Sequence, residues 1–197
     1  MIPIARRKTK IATGLAILIV AGAAAGWYHY HHLPKRFGVV VPGRLYRSGR
    51  VSPAELATVA RRYHVRTVLS LLDPDAPESI RERRAAERLG LRWVNVPLRG
   101  DGSSTPDDRA RIEAVLFDPH AAPLLVHCAA GANRTGLAVG LYRICKQGWS
   151  LERVLAEMRR YGFEDQPKHA NLRAALREAW QQQNPAKAGK AASSPPP

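Results

Sequence analysis

The sequence has 197 residues, of which 31 are lysine or arginine and 16 are aspartate or glutamate, giving a formal net charge of +15. The apolar fraction of 45% excludes wholesale disorder, and 2 cysteines are too few for a disulfide framework or a four-cysteine zinc site. A basic excess this large is typical of proteins that bind nucleic acid, an anionic membrane surface or a phosphorylated substrate.

The charge divides the chain into three segments. Residues 1–36 hold 6 basic residues and no acidic one, and residues 182–197 add two lysines. The 23 basic and 16 acidic residues of 37–181 leave that region a net charge of +7. We therefore predict a basic N-terminal segment (1–36), one globular domain (37–181) and a disordered tail (182–197) rich in Gln, Ala, Lys, Ser and Pro.

The N-terminal segment predicts membrane insertion. Four basic residues between Arg6 and Lys10 precede a run from Ile11 to Tyr28 in which only Thr13 is plainly polar. These 18 residues would form a helix about 27 Å long, close to the thickness of a bilayer core. Because positive clusters stay cytoplasmic, we expect a single-pass protein of a bacterial inner membrane with a periplasmic domain. The alternative is export followed by cleavage of a signal peptide at the small residues Ala23–Ala25.

Strand and helix signals alternate along residues 37–181. Apolar runs predict strands at Val39–Val41, Arg44–Tyr46, Val65–Leu72, Leu91–Val96 and Leu124–His127. Capping residues and helical periodicity predict helices from Ser52 to Tyr63, Glu78 to Leu89, Thr105 onward, Arg134 to Lys146, Ser150 to near Gly162, and Lys168 to Trp180. The alternation predicts an α/β fold, with a central, mostly parallel sheet of about four to five strands flanked by helices and preceded by the N-terminal transmembrane or signal helix.

The stretch from Leu124 to Gly136 predicts an anion-binding loop. A buried strand leads to Cys128, five residues with small or short side chains follow, and Arg134 then begins a helix. Small side chains allow successive N–H groups to surround a tetrahedral anion, to which the helix N-terminus adds its positive end. Arg134 can bind two phosphate oxygens through its guanidinium. The predicted phosphate-binding residues are Ala129, Ala130, Gly131, Ala132, Asn133 and Arg134.

The same surroundings favour a nucleophilic Cys128. A helix N-terminus and a nearby arginine stabilise a thiolate, which can attack phosphorus and form a phosphocysteine. We expect the Thr135 hydroxyl to donate to this sulfur and ease its departure. His127 is expected to fix the loop through backbone hydrogen bonds, since its side chain points away from that of Cys128 in an extended segment.

This loop resembles the signature of the Cys-dependent protein tyrosine phosphatase superfamily, which is His-Cys-x5-Arg-Ser/Thr. Rhodanese-type sulfurtransferases have a similar loop, but it is usually one residue shorter between Cys and Arg. The five residues between Cys128 and Arg134 therefore favour a phosphatase. The segments Arg44–Gly49 and Val65–Leu72 resemble the first core strands of compact, atypical dual-specificity phosphatases. The residues that match the superfamily signature are His127, Cys128, Gly131, Arg134, Thr135 and Gly136.

The resemblance implies a metal-free, cofactor-free mechanism that needs a general acid. Such phosphatases usually supply an aspartate from a mobile loop about thirty residues before the cysteine. Asp101 lies 27 residues before Cys128, between two glycines that suit a closing loop. Asp107 and Asp108 are the alternatives, although helix capping already explains them.

Several other side chains are ambiguous. Cys145 lies 11 residues beyond Arg134 on the following helix, too far to pair with Cys128, and is expected to pack as a core thiol. Arg47 and Arg50 suit either a substrate phosphate or a solvated surface. Without a nearby Cys or carboxylate, three histidines after the apolar run are expected to be solvated rather than to bind metal. These are His29, His31 and His32. Gln166, Lys168 and His169 precede the last helix and suit either a place at the border of the pocket or loop capping.

The sequence therefore predicts a phosphate monoesterase of phosphotyrosine or dual-specificity type. Its expected partners are a phosphorylated protein or a small phosphate ester, and the membrane through the N-terminal helix. One alternative is an inositol phosphate or phosphoinositide phosphatase, and another is a phospho-binding pseudoenzyme. Nucleic-acid binding is not expected, because no binding motif accompanies the charge.

Overall fold

The structure, a computed structural model, describes residues 19–22 and 33–185. The predicted membrane segment lies outside these residues except for 19–22, which are helical. Within the described ranges, no helix combines the length and the apolar character needed to cross a bilayer. Membrane insertion and the alternative signal cleavage remain predictions, as does the location of the domain.

Within the described residues, 34–185 form one compact unit. Its strands are β1 (Gly38–Val41), β2 (Leu45–Ser48), β3 (Thr67–Ser70), β4 (Arg92–Asn95) and β5 (Leu124–His127). Its helices are α1 (Pro53–Tyr63), α2 (Pro77–Arg88), α3 (Pro106–Phe117), α4 (Asn133–Gln147), α5 (Leu151–Arg160) and α6 (Ala170–Gln183), with 3-10 turns at Pro119–Ala121 and Pro167–His169. Each strand and helix predicted within residues 37–181 is present, although β3 is shorter than the apolar run that predicted it.

The five strands form one sheet in the order β1-β2-β5-β3-β4. β2, β5, β3 and β4 are parallel, and β1 pairs antiparallel with β2 at the edge. The register places Ser48 and Ser70 on either side of His127. The carboxyl ends of three strands therefore meet at one edge of the sheet, where the segments that follow them come together.

Local capping chemistry determines where two of the helices begin. At the start of α1, the Ser52 side chain accepts from the Glu55 amide while Glu55 accepts from the Ser52 amide. Thr105 and Asp108 form the same reciprocal pair at the start of α3. These capping boxes satisfy N–H groups that would otherwise lack partners, as the sequence predicted.

Helix α4 occupies the centre of the core. Every residue from Thr135 to Ile144 is buried. A Cβ at Gly140 would lie 2.7 Å from Leu176 of α6 and 2.9 Å from Val154 of α5. The absence of a side chain there lets both helices pack closely against α4, which holds its N-terminus at the carboxyl edge of the sheet.

Both boundaries of the domain differ slightly from those predicted. The Lys35 carbonyl accepts from the Gly49 amide at 2.7 Å, so the chain joins the domain before residue 37. Helix α6 continues to Gln183, two residues into the predicted tail, and residues 186–197 lie outside the described part.

Candidate active site

The loop Cys128–Ala132 connects β5 to α4 at the carboxyl edge of the sheet. Gly131 has a φ of +74°, which favours glycine over other residues. A Cβ there would lie 2.7 Å from the Gly49 nitrogen and 2.8 Å from the Ser48 carbonyl carbon. The loop therefore packs directly on the backbone that follows β2, and this contact requires residue 131 to have no side chain.

Three successive carbonyl groups of the loop face donors outside it. The Ala129 oxygen accepts from the Arg50 amide at 3.1 Å, and the Ala130 oxygen accepts from Arg36 Nη1 at 2.7 Å. The Gly131 oxygen accepts from Arg47 Nη2 at 2.9 Å. Because N–H and C=O point in opposite directions across a trans peptide, the amides of residues 130, 131 and 132 face the other side of the loop. Anion-binding loops have this arrangement.

Cys128 lies at the base of the loop and is 2% exposed. Its Sγ accepts a hydrogen bond from the Gly131 amide at 3.3 Å. The sulfur thus lies on the side of the loop toward which the N–H groups point, at the positive end of α4. Both features stabilise a negative charge on sulfur.

Arg134 is held by the ends of two other segments. Its Nη1 donates to the Leu71 carbonyl, just after β3, and to the Leu98 carbonyl, after β4, both at 3.2 Å. Within the described residues, Nε and Nη2 form no hydrogen bond with protein. They remain available for phosphate oxygens, and Arg134 lines the same cavity as Cys128.

His127 is anchored by a side chain that sequence analysis did not identify. Its Nε2 lies 2.9 Å from Glu82 Oε1, and both side chains are buried. The same carboxylate oxygen accepts from Trp93 Nε1 at 2.8 Å. Glu82 Oε1 therefore contacts both the His127 ring and the Trp93 indole, which ties α2 to β4 and to the end of β5. The His127 ring faces away from Cys128, and it fixes the loop through Glu82 in addition to its backbone.

Thr135 occupies a different position from the one predicted. Its hydroxyl donates to the Ser48 carbonyl at 3.3 Å rather than to the Cys128 sulfur. Ser48 ends β2, so this bond joins the first turn of α4 to the neighbouring strand. A hydroxyl has one hydrogen to donate, and here the backbone carbonyl receives it.

The structure does not bring the Asp101 carboxylate into the cavity. Oδ1 accepts from the Ser103 amide at 2.9 Å, and this hydrogen bond is the main cause of a lowered pKa. Gly100, the preceding residue, does line the cavity. Asp101 would have to leave Ser103 and approach the cavity before it could donate a proton. Asp108 caps α3, and Asp107 does not line the cavity either.

The cavity above Cys128 has a volume of about 280 Å³, and its charged lining residues are Arg36, Arg134, Lys168 and Glu164. The three residues that the sequence placed near the pocket, Gln166, Lys168 and His169, all line it. His169 Nε2 lies 3.0 Å from Asn133 Nδ2, which joins the 3-10 turn before α6 to the loop. Arg36 and Glu164 also line the cavity, and neither was identified from the sequence.

Arg47 and Arg50 do not belong to the cavity lining. Arg47 is fully buried, and its guanidinium lies 3.7 Å from the centre of the Tyr161 ring. Burial lowers the pKa of Arg47 to about 10, which still leaves it charged near neutral pH. The Arg50 side chain pairs with Glu78 at 2.9 Å near the surface. Arg47 therefore supports the loop from behind, and only the backbone of Arg50 contacts it.

Cys145 is a second free thiol with a different environment. It is partly buried against the core, and burial raises its pKa to about 11. Only about one molecule in ten thousand would carry a Cys145 thiolate at pH 7. Cys145 is consequently a poor nucleophile near neutral pH.

Comparison with protein families identifies one match over most of the chain. The model described as "Tyrosine phosphatase family" matches residues 33–189. This range includes the described compact unit, with the loop and every residue that lines the cavity.

Individual relatives include bacterial and plant phosphatases. The dual specificity protein phosphatase TpbA of Pseudomonas aeruginosa is 34% identical over 139 residues, covering 68% of this chain and 59% of the relative. An inositol diphosphatase, DSP1, of rice (Oryza sativa subsp. japonica) is 34% identical over 135 residues, covering 65% of this chain and 57% of the relative. The chain spans less than two thirds of the length of these curated relatives. The crystal structure of P. aeruginosa TpbA superposes with a TM-score of 0.59 at 30% identity, covering 78% of this chain and 91% of that one.

Replacing Gly131 by alanine tests the packing of the loop. We expect Gly131→Ala to displace the loop, since its Cβ would meet the Gly49 nitrogen and the φ of +74° disfavours alanine. The free energy of unfolding should fall by about 1–3 kcal/mol, measured by urea denaturation. Gly90→Ala is the matched control, because Gly90 has a φ of +67° and open space around it. Equal losses in both variants would contradict the proposed packing role.

Proposed function

The chain belongs to the tyrosine phosphatase family, and we propose that it hydrolyses phosphate monoesters through a phosphocysteine formed on Cys128. The observation that carries this proposal is the position of Cys128 Sγ. It lies beneath a loop whose N–H groups face away from three anchored carbonyls and in a cavity that it shares with Arg134. A thiolate, an anion-binding loop and a free guanidinium edge are the groups that phosphoryl transfer to sulfur requires.

In the first step, Cys128 Sγ attacks phosphorus and the bond to the leaving oxygen breaks. The amides of the loop and Arg134 Nε and Nη2 stabilise the charge on the three phosphoryl oxygens. An acid gives a proton to the leaving oxygen, which departs as an alcohol or phenol. The product of this step is an S-phosphorylated Cys128.

In the second step, water attacks the phosphorus and the bond between phosphorus and sulfur breaks. A base takes a proton from the water, and inorganic phosphate and the Cys128 thiolate are released. The Gly131 amide, which donates to Sγ at 3.3 Å, stabilises the departing thiolate. We therefore propose this backbone amide for the role that the sequence suggested for the Thr135 hydroxyl.

Asp101 is our candidate for the acid and base. Its loop borders the cavity through Gly100, so a local movement would bring the carboxylate toward the leaving oxygen. The movement would also break the hydrogen bond from Ser103 that lowers the pKa of Asp101. Losing this bond favours the protonated form that a general acid requires.

A small, highly phosphorylated ester is the second candidate substrate. The observation that favours it is the cavity lining, in which Arg36, Arg134 and Lys168 supply positive charge. None of the described residues that line the cavity carries a phenyl or indole ring. One relative is an inositol diphosphatase. A phosphotyrosine or phosphoserine/threonine ester remains our first proposal, because TpbA of P. aeruginosa is a dual specificity protein phosphatase.

Trapping the intermediate tests the mechanism. Rapid acid quenching of the wild-type protein during turnover of a phosphate ester should yield phosphate on Cys128, identified by mass spectrometry. Cys128→Ser should lose at least about a thousandfold in kcat and yield no phosphocysteine. A wild-type protein that binds phosphate esters but never turns them over would instead indicate a phospho-binding module.

The role of Asp101 is tested by comparing leaving groups. Asp101→Asn should lower kcat for an alkyl phosphate by about a hundredfold or more, because an alkoxide leaves poorly without a proton. The decrease in kcat with p-nitrophenyl phosphate should be smaller, because p-nitrophenolate can leave without being protonated. Glu164→Gln is the matched variant within the cavity lining. If only the Glu164 variant loses alkyl phosphatase activity, Asp101 is not the acid.

A substrate panel tests the substrate class. The panel contains a phosphotyrosine peptide, a phosphoserine peptide and inositol hexakisphosphate, and phosphate release is measured for each. We expect the phosphotyrosine peptide to have the highest kcat/KM. Cys128→Ser supplies the background for each substrate. Phosphate release from the inositol compound alone would favour the second candidate.

A further inference from the structure

Arg36 adopts an uncommon backbone conformation beside the active site. It lies in the turn that precedes β1, where the Phe37 amide donates to the Pro34 carbonyl at 3.0 Å. Its φ is +54°, in the left-handed region that arginine rarely occupies. Such strain persists where surrounding contacts hold a residue in place, and it is concentrated at functional sites.

The side chain of Arg36 has close contacts on two sides. Nη1 donates to the Ala130 carbonyl at 2.7 Å. The guanidinium also lies against Gly162, where an added Cβ would be 2.5 Å from Nη2 and 2.8 Å from Nε. Residue 162 must therefore lack a side chain for the guanidinium to keep this position.

The Ala130 carbonyl belongs to the same peptide group as the Gly131 amide. That amide is the donor to Cys128 Sγ at 3.3 Å. A positive charge on the oxygen end of a peptide group polarises it and strengthens the N–H at the other end. The chain of contacts therefore runs from Arg36 through one peptide group to the sulfur.

We propose that Arg36 is a positioning residue that orients and polarises the Ala130–Gly131 peptide and thereby stabilises the Cys128 thiolate. The proposal rests on the nucleophilic role given to Cys128 above. Arg36 acts through the loop and lies outside the His-Cys-x5-Arg-Thr stretch, 94 residues before Ala130. Through Arg36, the turn before β1 thus contributes to stabilising the Cys128 thiolate.

Other charged groups also surround the sulfur, so Arg36 contributes one part of its electrostatic environment. Arg134, Lys168, His169 and Glu164 line the cavity. Arg47 lies behind the loop and interacts electrostatically with Cys128. All of these groups are retained in every Arg36 variant, so the difference from the wild-type protein reports the removal of Arg36.

The pH dependence of alkylation measures the ionised fraction of the Cys128 thiol. Iodoacetamide is neutral, so its rate reports the thiolate without requiring anion binding, and peptide mass spectrometry separates Cys128 from Cys145. We expect the midpoint of the rate profile to move to higher pH in Arg36→Gln, with a rate at pH 6 about three- to tenfold lower. Arg36→Lys retains the charge and should recover part of this loss. Arg84→Gln, on the exposed face of α2, should leave the profile unchanged.

A second variant displaces the guanidinium without removing it. Gly162→Ala should push Arg36 away from Ala130 and move the midpoint in the same direction. Gly90→Ala is the control, since both glycines have positive φ but only Gly162 contacts Arg36. A midpoint unchanged in Arg36→Gln, or moved equally by both glycine variants, would overturn the proposal.

Failure of this proposal and failure of the proposed function give different results. Alkylation requires no phosphate ester, so the Arg36 measurement stands even if Cys128→Ser were to retain phosphatase activity. If the proposed function is correct and Arg36 only contributes to folding, its variants should change the free energy of unfolding while leaving the alkylation midpoint and the pH profile of kcat/KM in place.

Discussion

The candidate active site depends on the outward orientation of the carbonyl groups in the loop after Cys128. A loop can bind an anion with its N–H groups only if its carbonyl oxygens are satisfied elsewhere. Here the donors come from Arg36, Arg47 and the Arg50 amide. The sheet order explains why they are available, because β2 lies next to β5 and ends beside the loop. The antiparallel pair β1–β2 and its flanking residues therefore both complete the edge of the sheet and supply donors to the loop.

A buried contact between His127 and Glu82 supports the loop from another direction. Glu82 on α2 reaches His127 at the end of β5, and Trp93 on β4 donates to the same carboxylate. Removing one partner of such a pair leaves a buried charge or polar group without its contact, which is costly. Two oxygen or nitrogen atoms of this pair, Glu82 Oε2 and His127 Nδ1, have no partner within the described residues. The contact thus fixes the position of the His127 ring, although each of the two side chains keeps one atom without a hydrogen bond.

Much of the fold could be predicted from the sequence because its signals are local. Capping boxes at Ser52 and Thr105 act between residues three apart, and the strand, loop and helix around Cys128 are contiguous. Long-range contacts were not predictable in the same way. Glu82 meets His127 across 45 positions, and nothing near Glu82 in sequence marks it as buried. Arg36 was assigned to a basic flank, although it lines the cavity, because charge counts contain no information about position in space.

The contacts around the loop also have a consequence for the order in which the molecule forms. The bonds from Arg36, Arg47 and Thr135 to their partners join positions 94, 84 and 87 residues apart. Contacts between distant positions require closure of long chain segments, whose entropic cost grows with the length of the segment. During synthesis, the N-terminal turn and β2 emerge long before the loop that they hold. Cys128 therefore cannot acquire its final surroundings until the chain has been translated at least as far as Thr135.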